Sequence, residues 1–132
     1  MPLAVLDASV VISLLSTTDA LHLPCAAWFA GARSATGFAL PASAYAEVAV
    51  GALWLGDAGL AKLDGFLAAA SIDVRELSRQ AARESARLRA SDRALRLPDA
   101  LVLGCGVAVS ADSIVTTDQR WSRYDARVRV IR

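Results

Sequence analysis

The stretch from residue 95 to residue 118, LRLPDALVLGCGVAVSADSIVTTD, joins a predicted helix to a predicted strand. Pro98 favours the first turn of a helix, because its ring fixes φ and its missing N–H would have had no partner there. Asp99 then lies in the same turn, where the helix dipole favours an anion. Residues 113–117, SIVTT, are rich in β-branched side chains and predict a strand, after which Asp118 follows directly. This stretch therefore predicts a helix-strand unit with an acid at each end.

The same alternation runs along the whole chain. Short apolar runs predict five strands, at residues 3–7, 37–40, 71–74, 113–117 and 126–131. The stretches between them carry apolar residues at helical spacing. Strands separated by helices predict a three-layer α/β/α sandwich with a central, mainly parallel five-stranded sheet. At this length we expect one domain, covering residues 1–132.

The composition fits a compact, cytoplasmic protein. Of the 132 residues, 55% are hydrophobic, enough for one sizeable core. The N-terminus lacks a basic start and a cleavage site, and no charge-free run is long enough to cross a bilayer, so we expect no membrane association. Cys25 and Cys105 lack metal-site or CxxC spacing and are predicted to be buried free thiols.

Charge is distributed unevenly. Residues 1–70 carry two basic and five acidic side chains, whereas residues 71–132 carry twelve arginines and eight acids. The second half is therefore a candidate basic face for a polyanion. Four arginines at four-residue intervals, assigned to one polar helix, would form a slanting stripe along it: Arg75, Arg79, Arg83 and Arg87. The stripe either follows an RNA backbone or is a solvated face paired with glutamates, and both interpretations remain open.

Four acids are predicted at one edge of the sheet. In a parallel sheet the carboxyl ends of the strands and the first turns of the following helices share an edge, where ligands bind. Asp7 ends the first strand, Asp99 begins a helix and Asp118 follows the fourth strand. Glu47 lies six residues beyond Pro41, roughly 8–9 Å into a helix. Its neighbours are apolar, so its charge is expected to need a partner.

Gathering these carboxylates is costly without a cation. Two unit charges about 4 Å apart repel by roughly 4 kcal/mol at an effective dielectric constant of about 20. Oxygen ligands without His or Cys suit Mg²⁺, with Mn²⁺ as a substitute. The four acids thus predict a metal site for phosphodiester hydrolysis, in which each of them serves as a catalytic metal ligand.

Other polar residues receive weaker predictions. Ser9 and Thr116 either support the acids through their hydroxyls or serve as a helix cap and a strand former, and both interpretations stay open. Asp112 and Asp125 are interpreted as turn residues. His22 is interpreted as structural, because no partner for general-base catalysis is near it in the sequence.

Four blocks together resemble the acidic blocks of PIN-domain ribonucleases. They are LAVLDASVVISLL, LPASAYAEVAVGAL, LPDALVLGCGVAV and IVTTDQRW, in that order, and they cover the chain from Leu3 to Trp121. Within that family the sequence looks most like a VapC-type toxin of a toxin–antitoxin pair. The resemblance implies a metal held by Asp7, Glu47, Asp99 and Asp118, with hydroxyls at Ser9 and Thr116.

The resemblance also implies a function and partners. It implies an endoribonuclease that cleaves RNA, is held inactive by a cognate antitoxin, and forms a homodimer. The antitoxin is expected to thread a segment over an apolar groove and to bring a basic side chain near the acids. Trp54, with Leu53 and Leu55, is a candidate for lining that groove, the alternative being the core.

Two other classes of function fit parts of the sequence. A catalytically silent PIN fold would only bind RNA or act as a scaffold, and the presence of all four acids argues against it. A phosphotransfer receiver or a haloacid-dehalogenase-type phosphatase also uses an acid after its first strand. Each needs a late lysine, whereas the only lysine is Lys62, and Ser9 occupies the position of the phosphatase's second aspartate.

Overall fold

A computed structural model describes all residues from Met1 to Arg132 and has a five-stranded parallel sheet at its centre. The strands are β1 (Leu3–Leu6), β2 (Gly37–Pro41), β3 (Ile72–Arg75), β4 (Ser113–Thr116) and β5 (Val128–Val130). The α-helices are α1 (Ala8–Leu15), α2 (His22–Ala32), α3 (Ala42–Leu53), α4 (Asp57–Ala69), α5 (Arg79–Ser91) and α6 (Leu97–Ala108). A short 3₁₀-helix, Gln119–Arg123, joins β4 to β5.

The strand order β3-β2-β1-β4-β5 determines which helices share a layer. The connections from β1 to β2 and from β2 to β3 step in one direction, and the connection from β3 to β4 steps back. Because parallel crossovers are right-handed, α1 to α4 cover one face of the sheet and α5 with α6 cover the other. The predicted α/β/α sandwich is confirmed, and every strand pairing is parallel.

The direction of the connections reverses between β1 and β4, which are adjacent in the sheet, with Leu6 paired to Val115. The chain leaves β1 toward α1 on one face and leaves β4 toward the other face. A crevice therefore opens at the carboxyl ends of these two strands, the usual place for a ligand in this type of sheet.

The predicted arginine stripe needs a correction. Arg75 lies in β3, and α5 begins only at Arg79. The helix begins there because the Ser78 hydroxyl caps it, accepting a hydrogen bond from the Ala81 N–H at 3.0 Å. The surface stripe is thus limited to the three exposed arginines of α5, Arg79, Arg83 and Arg87.

The two helices on the second face pack closely because of one glycine. A Cβ at Gly104 of α6 would lie 2.6 Å from the Ala81 carbonyl oxygen and 2.6 Å from the Ser85 N, both backbone atoms of α5. The Ser85 hydroxyl is fully buried at this crossing and donates to the Ala81 carbonyl at 2.7 Å. Only glycine allows this approach. The helices themselves are all too short or too polar to cross a membrane.

Candidate active site

Asp7 is the most buried acid of the protein. It directly follows β1 and is the N-terminal cap residue of α1, with only 8% of its surface exposed. Its backbone N–H continues the sheet by donating to the Val115 carbonyl at 2.9 Å. The Ser9 and Thr116 hydroxyls each donate to its Oδ2 at 2.8 Å. Both hydroxyls use the same oxygen, so Oδ1 has no hydroxyl donor.

Ser9 and Thr116 connect Asp7 to the end of β4. Thr116 is completely buried, and its hydroxyl also accepts a hydrogen bond from the Asp118 N–H at 3.1 Å. The Ser9 hydroxyl accepts one from the Thr117 N–H at 3.2 Å. Both hydroxyls therefore hydrogen-bond to Asp7, and their supporting role at a metal site stays a prediction.

Glu47 lies in the second turn of α3, as predicted, but its surroundings differ from the prediction. Its side chain is exposed and forms no ion pair or hydrogen bond, so water rather than a buried partner solvates its charge. The apolar residues around it in the sequence face other directions, as shown by buried Ala44 and Val48. Partial burial, reinforced by the charges of Asp7 and Asp99, still raises the pKa of Glu47.

Asp99 lies in the first turn of α6, which begins at Leu97 and has Pro98 in the same turn, as predicted. Its side chain is 22% exposed and makes one weak ion pair, 3.9 Å from the Arg96 Nε. Burial raises the pKa of Asp99, and the charge of Asp118 adds to this, whereas Arg96 acts in the opposite direction. A first-turn acid with so few partners keeps its oxygens free.

Asp118 differs from the other three acids, because an arginine holds both of its oxygens. The Arg120 Nε donates to Oδ1 at 3.1 Å and its Nη2 donates to Oδ2 at 2.7 Å. The Arg120 backbone N–H also donates to Oδ1 at 2.9 Å, which caps the 3₁₀-helix. These hydrogen bonds from Arg120 lower the pKa of Asp118.

The electrostatics of this edge favour a cation. Burial raises the pKa of Asp7 despite its two hydroxyl donors, and Asp99 adds to the rise. With Glu47 and Asp99, three of the four carboxyls thus hold their charge at a cost that a divalent ion would offset. Their oxygens are the hard ligands that suit Mg²⁺ or Mn²⁺. The donor set fits the metal chemically.

The acids share an edge and affect one another's charge, but they do not converge fully. No three Asp, Glu, His or Cys side chains of the protein are close enough together to form a metal cluster. Ligation would therefore require the side chains to rotate toward a shared ion.

The remaining polar residues have local roles. Asp112 lies at the opposite end of β4, where its Oδ2 accepts a hydrogen bond from the Leu3 N–H at 2.7 Å. The Asp125 carboxylate accepts one from the Arg127 N–H in the turn before β5. The His22 ring is 2.8 Å from the Ser13 carbonyl oxygen. Cys25 and Cys105 are buried free thiols, as predicted.

Three residues near the acids were not predicted from the sequence. Arg96 and Arg120 each contact a site acid, and the spacings in RLPD and DQR were the available signal. Ser43 lies one helical turn before Glu47, on the same face of α3, and its buried hydroxyl has no partner.

An apolar groove runs along α1, α3 and α4. Its volume is about 350 Å³, and it is lined mainly by Ile12, Leu15, Val48, Ala52, Leu55 and Leu63. Two of the lining residues, Ile12 and Val48, are close in the chain to Ser9 and Glu47. Of the three candidates, Leu55 lines this groove, whereas Leu53 and Trp54 do not; Trp54 is 82% exposed and is therefore not a core residue either. Lys62 also lines this groove.

Comparison with known proteins identifies the family. The sequence matches the PIN domain over residues 4–127. The chain belongs to the PIN domain family, and the resemblance of its acidic blocks to that family is confirmed. A comparison with curated proteins finds no match.

Solved structures share the fold over almost the whole chain. VapBC2 from Rickettsia felis, bound to a DNA fragment from its promoter, matches with a TM-score of 0.81 at 14% identity, covering 98% of this chain and 99% of that one. A toxin–antitoxin complex from Klebsiella pneumoniae matches at 0.74 and 19%, covering 96% of each chain. DNA-bound VapBC from Salmonella typhimurium matches at 0.76 and 18%, covering 98% and 97%.

Proposed function

We propose that this protein is the Mg²⁺-dependent endoribonuclease toxin of a toxin–antitoxin pair. The observation that carries the proposal is the set of four carboxylates at one edge of the sheet. Three of them, Asp7, Glu47 and Asp99, have a raised pKa and no strong cationic partner. Membership of the PIN domain family and the similarity to toxin–antitoxin structures support the same activity.

In this proposal Asp7 and Asp99 would hold the metal, with Glu47 and Asp118 completing the set. Ser9 and Thr116 fix the orientation of the Asp7 carboxylate through its Oδ2, so that Oδ1 is available. When bound, Mg²⁺ supplies the positive charge that hydrolysis of a phosphodiester needs at the attacking water and at the phosphoryl oxygens.

The charge around the acids supports a polyanionic substrate. Three well-exposed arginines lie near the site acids Asp99 and Asp118: Arg96, Arg120 and Arg123. Their guanidinium groups suit phosphate oxygens. An RNA strand that crosses the acids would meet these cations on its flanking phosphates.

The direct test is RNA cleavage by purified protein with Mg²⁺, with EDTA, and after substitution of single acids. Asp7→Asn and Asp99→Asn should each lose at least about a hundredfold in rate, because removing one metal ligand weakens charge stabilisation in the transition state. Asp112→Asn is the matched control, since that acid lies at the other end of the sheet. Cleavage that survives EDTA or Asp7→Asn would overturn the proposal.

The apolar groove is the proposed binding site for the antitoxin. An amphipathic or extended segment would cover the exposed side chains of Ile12 and Leu55 there, and a continuation of that segment past Val48 would come near Glu47, the next residue before it on α3. The exposed Leu55, with 78% of its surface accessible, supports an absent partner. The homodimer implied by the family resemblance stays a prediction.

Groove variants test the antitoxin site separately from catalysis. Leu55→Asp should abolish binding of the protein encoded beside this gene and leave RNA cleavage unchanged. Leu23→Asp is the control, because Leu23 is equally exposed but lies on α2. Equal antitoxin affinity in both variants would place the partner elsewhere.

A silent RNA-binding or scaffold module is the second candidate. Two observations favour it. No three carboxylates lie close enough together to form a metal cluster, and the Arg120 guanidinium donates hydrogen bonds to both oxygens of Asp118. Calorimetry distinguishes the two functions, because a silent module would bind no Mn²⁺ even at millimolar concentration.

A further inference from the structure

We infer that Arg120 is a built-in competitor for the metal at Asp118, and this inference rests on the proposed function. Arg120 makes three donor contacts with the Asp118 carboxylate, two from its guanidinium and one from its backbone N–H. The guanidinium contacts occupy one bond on each oxygen. A metal that uses Asp118 as a ligand must therefore displace the guanidinium or share the carboxylate with it.

The geometry distinguishes this pair from the other ion pairs near the site. The Arg120–Asp118 contact is 2.7 Å with a second nitrogen on the other oxygen, whereas Arg96 approaches Asp99 only to 3.9 Å. Bidentate, charge-assisted pairs are the strong ones. Arg120 therefore specifically holds the one site acid whose pKa is lowered rather than raised.

The pair can also be released easily. The Arg120 side chain is 75% exposed, so a displaced guanidinium is solvated by water at little cost. The backbone N–H bond to Oδ1 does not depend on the side chain, so the cap of the 3₁₀-helix remains when the guanidinium leaves. Arg120 thus acts through Asp118 as a positioning residue and sets the metal concentration at which the site fills.

Arg123 offers a matched control. A surface recess is lined by Arg123 together with Asp99, Asp118 and Arg120. Arg123, however, forms an ion pair with Asp92 at 3.2 Å rather than with a site acid. Replacing Arg123 removes the same formal charge from the same neighbourhood and leaves the Asp118 carboxylate unchanged. A general electrostatic effect would appear equally in both variants.

The test is calorimetric titration of Mn²⁺ into RNA-free protein at fixed pH and salt. Arg120→Ala should bind Mn²⁺ about three- to tenfold more tightly than the parent, the size expected when an exposed bidentate pair no longer competes. Arg120→Lys keeps the positive charge but cannot donate two hydrogen bonds side by side, so its Mn²⁺ affinity should lie between those of the parent and Arg120→Ala. The Mn²⁺ affinity of Arg123→Ala should match that of the parent within about twofold. Equal tightening in both alanine variants, or no tightening in Arg120→Ala, would overturn the inference while leaving the metal site intact.

A second measurement follows the displacement of the Arg120 guanidinium from Asp118 directly. The Nε–H resonance of Arg120, followed by NMR with Mg²⁺, should shift toward its free position as the site fills, whereas the Arg123 resonance should stay. An unmoved Arg120 signal at saturating Mg²⁺ would contradict displacement. No Mn²⁺ binding by any variant would overturn the metal site and this inference together.

Discussion

The Thr116 hydroxyl donates to Asp7 Oδ2 at 2.8 Å, although 109 positions separate the two residues in the chain. The contact exists because β1 and β4 are parallel neighbours, with Leu6 opposite Val115. The same hydroxyl accepts from the Asp118 N–H, so one fully buried side chain orients a carboxylate from the first strand and a loop after the fourth. Sheet topology therefore builds the candidate active site directly.

Replacing this hydroxyl tests its role. Thr116→Val keeps the shape but leaves the Asp118 N–H and one lone pair of Asp7 without their partner. We expect a loss of about 1–3 kcal/mol in the free energy of unfolding, the usual cost of an unsatisfied buried group, and weaker Mn²⁺ binding. Urea denaturation and calorimetry measure the two effects. Thr117→Val is the control, and a loss no larger than in that variant would show that the hydroxyl is dispensable.

Glu47 gives a prediction about pH. Its pKa is raised in the folded protein by burial and by Asp7 and Asp99, so the charged form is disfavoured by folding. The metal-free parent should lose stability relative to Glu47→Gln as pH rises from about 4 through the raised pKa, and below that range the two should be equally stable. Because the side chain is exposed, we expect a difference of only about 0.5 kcal/mol at neutral pH.

Denaturant unfolding of the parent and of Glu47→Gln between pH 4 and pH 8, with and without Mn²⁺, measures this difference in the free energy of unfolding. Saturating Mn²⁺ should reverse the order and make the parent the more stable protein, because only the parent keeps the fourth ligand. A stability difference that does not change with pH, or no reversal with Mn²⁺, would show that Glu47 is an ordinary surface acid.

Gly104 gives a prediction about the fold alone. Gly104→Ala places a methyl group against the backbone of α5 at Ala81 and Ser85, so the two helices must move apart. We expect the free energy of unfolding to fall by about 2 kcal/mol or more. Gly65→Ala, in the open on α4, should instead gain about 0.5–1 kcal/mol from helix propensity. Thermal melts of both variants test the contrast, and a neutral Gly104→Ala would mean that the helix interface adapts.

Sequence patterns predicted the sandwich, the four acids and their common edge, because strand and helix signals alternate clearly and parallel topology determines where strand ends meet. They did not predict which helix face Glu47 occupies, since an apolar neighbourhood in sequence does not determine the rotation of a helix. Arg75 was wrongly assigned to α5, because four-residue spacing continues across the Ser78 cap. Arg120 was missed because its importance depends on a side-chain contact that spacing alone does not reveal.

The position of a bound metal tests the central claim most directly. Crystals grown with Mn²⁺, measured near the manganese absorption edge, should show an anomalous peak in the crevice between β1 and β4, within ligand distance of Asp7 and Asp99 and facing Glu47 and Asp118. Crystals with no peak at saturating Mn²⁺, or with a peak that contacts none of these four acids, would contradict the account.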